Sequence, residues 1–101
     1  MAKVIFTISY DIYPAVRPAY LSTVEEMRQY FLNVQKKNYN VFENTAKKNN
    51  FSEVFICESE EEYDTLEDTM DDTWQSFNNK VQEYVSDGKV QYSVLKEVTQ
   101  D

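Results

Sequence analysis

The side chains in this chain that are best equipped for chemistry are aromatic and polar. Among 101 residues there are 8 tyrosines, 6 phenylalanines and a single tryptophan. The indole ring of Trp74 could line a cleft while its N–H orients a ligand oxygen. Tyr10, Tyr20, Tyr30 and Tyr92 could add hydroxyls to a polar spot in an otherwise apolar pocket. Arg17, between Pro14 and Pro18, could hold a ligand carboxylate through two parallel hydrogen bonds. Each has a plainer reading beside it. Trp74 would serve equally as an anchor of a core or a dimer, the tyrosines as amphipathic packing, and Arg17 as half of a surface ion pair.

Several other chemistries are removed by composition. The chain has no histidine, which excludes Ser-His-Asp and Cys-His nucleophile systems, His-ligated haem and the usual zinc sites. Its one glycine, Gly88, cannot build a phosphate-cradling loop. Its one cysteine, Cys57, can form no intramolecular disulfide, and in an apolar strand beside Glu58 it reads as buried and inert. With 18 acidic against 10 basic residues the net charge is -8, so nucleic acid and anionic membranes are poor partners. Glu58, Glu60, Glu61, Glu62, Asp64, Glu67, Asp68, Asp71 and Asp72 lack EF-hand spacing and read as a solvated helix face. There is no leader-like h-region and no run of 18 apolar residues, so the expectation is one soluble cytoplasmic domain over residues 1–101, without metal or cofactor.

Six elements position these residues. Residues 3–12 are β-branched and aromatic and stop before Pro14, which predicts a strand. Ser22 and Glu25 have the form of a capping box, and Val24, Met27, Phe31 and Val34 follow at helical spacing, predicting a helix over about 23–36. Residues 38–45 and 51–58 predict a hairpin, with Asn49 and Asn50 as turn residues. Ser59 and Glu62 form a second capping box ahead of Tyr63, Leu66, Met70, Trp74, Phe77, Val81 and Tyr84, the clearest helical stripe in the chain. A helix over 60–86 would be about 40 Å long and outreach the strands, so a bend near Asp71 is expected, with Gly88 just past the end. Residues 89–98 alternate as a last strand.

The order βαββαβ is the ferredoxin-like pattern, an α+β fold in which two helices cover one face of a four-stranded antiparallel sheet. The first and third strands, the most apolar, belong in the middle. Ile5 and the second apolar face of the third strand leave the open side of the sheet partly nonpolar, which points to a homodimer packed sheet to sheet.

Val4 to Tyr10 leading into a helix, and Glu53 to Tyr63 running from strand into capped helix, resemble the dimeric α+β barrel superfamily over nearly the whole chain. That superfamily includes the antibiotic-biosynthesis monooxygenase-like and stress-responsive barrel proteins. The resemblance implies two-fold dimers, a ligand cleft between sheet and helices in each subunit, and in some members oxidation of polycyclic aromatic substrates without metal or cofactor. Such monooxygenases use Trp, Asn and Tyr, to which Trp74, Asn78 and Tyr92 are chemically similar here. The haem-degrading branch needs a histidine that this chain lacks. Two functions follow as expectations. One is a small-ligand protein, oxygenase-like or isomerase-like, with Tyr10, Arg17, Trp74, Asn78 and Tyr92 around an aromatic-lined cleft. The other is a noncatalytic module for dimerisation, ligand sensing or protein interaction.

Overall fold

The computed structural model describes residues 2–99. Strands β1 (Val4–Ile12), β2 (Asn38–Glu43), β3 (Asn50–Cys57) and β4 (Val85–Lys96) form one antiparallel sheet in the order β2-β3-β1-β4. The two apolar strands are therefore central, as the sequence predicts. Helix α1 (Arg17–Gln29) runs on through a π turn, Tyr30–Val34. The second helical region comprises α2 (Glu60–Asp64), a 3-10 turn at Leu66–Thr69 and α3 (Asp72–Tyr84).

Strand periodicity sorts side chains between the two faces. Tyr10, Ile12, Phe51 and Phe55 point to the helices and join Tyr20, Met27, Phe31, Trp74 and Val81 in one core. Cys57 is buried on the same side, as expected. The opposite face carries Ile5, Val54 and Ile56, all half-buried, and exposed Leu95, beside two hydroxyl pairs, Thr7 with Ser93 and Ser9 with Ser52.

Four local expectations are corrected. Helix α1 begins at Arg17 with Pro18 in its first turn, where the missing N–H costs nothing, so Ser22 lies inside the helix and caps nothing. Glu25 instead accepts from Arg28 and Gln29 one turn on. Its buried stripe is Tyr20, Thr23, Met27 and Phe31, while Val34 is exposed, because the π turn adds residues per turn and swings position 34 off the stripe. Gly88 does not end a helix. β4 starts directly at Val85, and Asp87 and Gly88, both with positive φ (60° and 63°), take up the extra residues between the pairs Ile12–Val85 and Tyr10–Val90. Asn49 has the left-handed conformation expected of a turn (φ 66°), but Asn50 is already in β3 and donates its amide to Asp11.

The expected bend near Asp71 is a full break. Ser59 accepts from the Glu62 N–H at 3.2 Å and so caps α2, and the Glu62 carboxylate accepts in return from the Glu58 N–H. Asp71 caps α3 by accepting from the Trp74 N–H at 2.9 Å. Its second oxygen accepts from the Tyr30 hydroxyl and from Gln35, which joins the end of α1 to the start of α3. All nine acidic side chains of residues 58–72 are exposed, the solvated face that the sequence predicts.

Candidate functional site

Beside the break between α2 and α3, a cavity of about 680 Å³ lies between the helices and the β1–β4 half of the sheet. Its floor consists of Phe6, Ile8 and Tyr10 from β1 and Val90, Tyr92 and Val94 from β4, alternate residues sharing one face. Its wall is one stripe of α3, with Trp74, Asn78 and Val81 at helical spacing. Leu66 and Met70 close the end near the break, and Asp64 and Glu67 edge the rim.

Four of the five sequence-derived candidates meet here. Trp74 stacks on Phe55 (centroids 5.4 Å apart, planes 21° apart) and meets Phe31 edge-on at 4.8 Å, so it anchors the core and walls the cavity at once. Among the described residues, neither the Trp74 indole N–H nor the Asn78 amide has a hydrogen-bond partner within the chain, which leaves both as donors for a ligand oxygen. Tyr92 stacks on Phe6 with planes 8° apart and is 65% exposed, which puts it at the mouth. Tyr10 lies deep, only 3% exposed.

Arg17 is placed elsewhere. Its guanidinium donates to both oxygens of Glu43, at 2.6 and 2.8 Å, and to Asn49 Oδ1 at 2.8 Å, and it lies 5.5 Å from the centre of the Phe51 ring. The first residue of α1 faces the β2–β3 hairpin, so the ion-pair reading of Arg17 describes what it does. Tyr20 is buried beside Tyr10, whereas Tyr30 serves the Asp71 junction.

The most unusual group at the site is one the sequence reading passed over. Glu53, in β3 and 6% exposed, lies on the helix face and contributes to the cavity. Tyr10 donates to Glu53 Oε2 and Tyr39 donates to Oε1, each at 2.9 Å. With the Tyr10 proton thus committed, Tyr20 donates to the Tyr10 oxygen at 2.9 Å, which makes a chain Tyr20, Tyr10, Glu53, Tyr39 across α1, β1, β3 and β2. Among the described residues Glu53 has no Lys or Arg within ion-pair distance. Burial pushes its carboxyl pKa up, and the two phenolic donors only partly offset this. Burial, followed for Tyr10 and Tyr39 by the charge of Glu53, raises the pKa of all three tyrosines, so they remain donors. The charged side chains lining the cavity are Glu53, Asp64 and Glu67, with no cation among the described residues, so it repels anions. A signal for Glu53 was present in the sequence: it is in phase with Phe51, Phe55 and Cys57 on the apolar side of its strand.

No protein-family model matches this chain, and no curated protein matches it. Solved structures do. A conserved protein from Methanosarcina mazei superposes with a TM-score of 0.80 at 9% identity, covering 97% of this chain and 95% of that one. SnoaB, a cofactor-independent oxygenase from Streptomyces nogalater, gives 0.73 at 7% identity over 97% and 95% of the two chains. A proposed antibiotic biosynthesis monooxygenase from Deinococcus radiodurans gives 0.74 at 10% identity over 97% and 94%. These likenesses show the fold: a ferredoxin-like α+β domain of the kind found in antibiotic-biosynthesis monooxygenase-like proteins.

Proposed function

We propose that this protein binds a small, uncharged aromatic molecule in the cavity between sheet and helices and acts on it as a cofactor-independent oxygenase does. The observation that carries the reading is the cavity itself, large enough for a two- or three-ring ligand and walled by Phe6, Trp74 and Tyr92, with free donors at Trp74 and Asn78. The oxygenase in the comparison, with the same fold, supports the chemistry. The homodimer belongs to the same proposal. Ile5, Val54, Ile56 and Leu95 on the open face would be covered by the same face of a second copy.

Because Trp74 is the sole tryptophan, its fluorescence reports directly on the cavity. Titration with 2-tetralone, a neutral bicyclic ketone, is expected to quench it saturably. Calorimetry with Tyr92→Phe and Asn78→Ala is expected to show weaker binding with circular dichroism unchanged. Unaltered affinity in both variants would remove these residues from the site. Oxygen uptake with neutral polycyclic phenols and ketones, without added cofactor, separates an oxygenase from the noncatalytic module, which binds without uptake. Sedimentation at micromolar concentration is expected to give twice the monomer mass, and a monomer would refute the sheet-to-sheet dimer.

A further inference from the structure

We propose that Glu53 is the proton acceptor of this cavity, removing a proton from a neutral aromatic ligand that is weakly acidic next to its carbonyl group. The inference rests on the ligand-binding reading above. A carboxylate is a costly choice for this position. A glutamine amide is isosteric and avoids the penalty of burying a charge, but it has one acceptor oxygen where Tyr10 and Tyr39 each use a separate one. Beyond that second acceptor oxygen, the carboxylate provides a site that can take up a proton. Its surroundings suit that role. Two phenolic donors hold it in one orientation, no cation fixes it in the ionised state, and it lies on the wall of the cavity. Burial raises its proton affinity above that of an ordinary carboxylate.

The step is redox-neutral. The Glu53 carboxylate takes the proton and becomes the acid, while the electron pair of the broken C–H bond remains on the ligand and spreads onto its carbonyl oxygen. Trp74 and Asn78, which line the same cavity from α3, carry N–H groups that could bind that oxygen. Removing the proton gives an electron-rich anion, the form in which an organic molecule can itself reduce dioxygen, so the step would precede oxygenation. The groups facing Glu53 are Tyr10 from β1, Tyr39 from β2 and, through Tyr10, Tyr20 from α1. Arg28 of α1 acts on Tyr39 through its charge, and Asp64 and Glu67 lie at the rim.

The test is exchange of the α-hydrogens of 2-tetralone in D₂O, followed by proton NMR, with binding measured in parallel. The native protein is expected to accelerate exchange about 10²-fold or more over buffer, the usual scale of a positioned base. The rate should climb with pH as Glu53 ionises. Glu53→Gln should abolish the acceleration and keep binding. Tyr39→Phe removes one donor to the carboxylate, so it should displace the pH profile upwards. Binding without acceleration in the native protein, acceleration retained in Glu53→Gln, or an unmoved profile in Tyr39→Phe would each overturn the assignment and leave the ligand-binding reading intact. Failure of 2-tetralone to bind the native protein would overturn both.

Discussion

Two carboxylates on the hairpin, Glu43 in β2 and Glu53 in β3, point to the same face of the sheet and live in opposite surroundings. Glu43, half-buried, accepts two hydrogen bonds from Arg17 and one from the Asn49 N–H, and this holds its carboxyl down to about 2. It is ionised under all ordinary conditions, and its work is to fix the start of α1 against the hairpin turn. Glu53 is more deeply buried, held by phenols alone, and its carboxyl is pushed up. A carboxylate clamped by a guanidinium has no use for a proton, whereas one held by neutral donors can still exchange one. The difference lies in the partner, and the partner separates the structural end of the hairpin from the chemical one.

The comparison is broken most severely by giving Glu53 the partner Glu43 has. Val41 is directly opposite Glu53 across the β2–β3 pair, on the same face. Val41→Arg is expected to hold Glu53 ionised and to cut ketone exchange about tenfold or more, measured by the same NMR assay. Unchanged exchange would mean that the neutrality of its partners is irrelevant. Next in size is Arg17→Met, which strips Glu43 of its cation. It should lower the urea midpoint and leave exchange within about twofold, since Arg17 is outside the cavity. Glu53→Gln gives up one of the two acceptor oxygens, so it should cost about 1 kcal/mol at pH 4, a deficit that shrinks as pH rises because the amide never ionises. Tyr20→Phe, at the far end of the hydroxyl chain, should cost about 0.5–1 kcal/mol and alter exchange least.

The two groups also oppose each other in pH dependence. Glu43, with its pKa lowered on folding, contributes stability that is present above the ordinary value of 4.5 and lost as pH falls towards about 2. Glu53, with its pKa raised, contributes stability that is full below 4.5 and lost as pH rises through its folded value. The native protein should therefore lose ground to Glu53→Gln on going from acid to neutral pH. A gap that stays constant between pH 4 and 8 would contradict the raised affinity.

Much of the fold was legible because β1, β3 and the Tyr63 to Tyr84 stripe carry strong periodicity, and strand and helix order leave few topologies open. The errors arose where two local signals competed. Ser22 and Glu25 imitate a helix start, but the true one is marked by Pro18, four residues before Ser22, and nothing local distinguishes a capping box from the same spacing on a helix surface. Gly88 fits a helix end as well as a bulge, and only pairing with β1 decides between them. Trp74, Asn78, Tyr10 and Tyr92 could be named as candidates because aromatic and amide chemistry shows in residue type. Glu53 was hidden because one acid in an apolar strand gains its meaning from Tyr10 and Tyr39, 43 and 14 residues away.

The most direct measurement is a ¹³C NMR titration of the glutamate side-chain carboxyls, with Glu53 assigned through Glu53→Gln and Glu43 through Glu43→Gln. Glu43 is expected to titrate near 2 and Glu53 above 4.5, with 2-tetralone perturbing only Glu53. If Glu53 instead titrates at or below 4.5 and does not respond to the ketone, it is a structural acid like its neighbour, and the proton-accepting cavity does not exist.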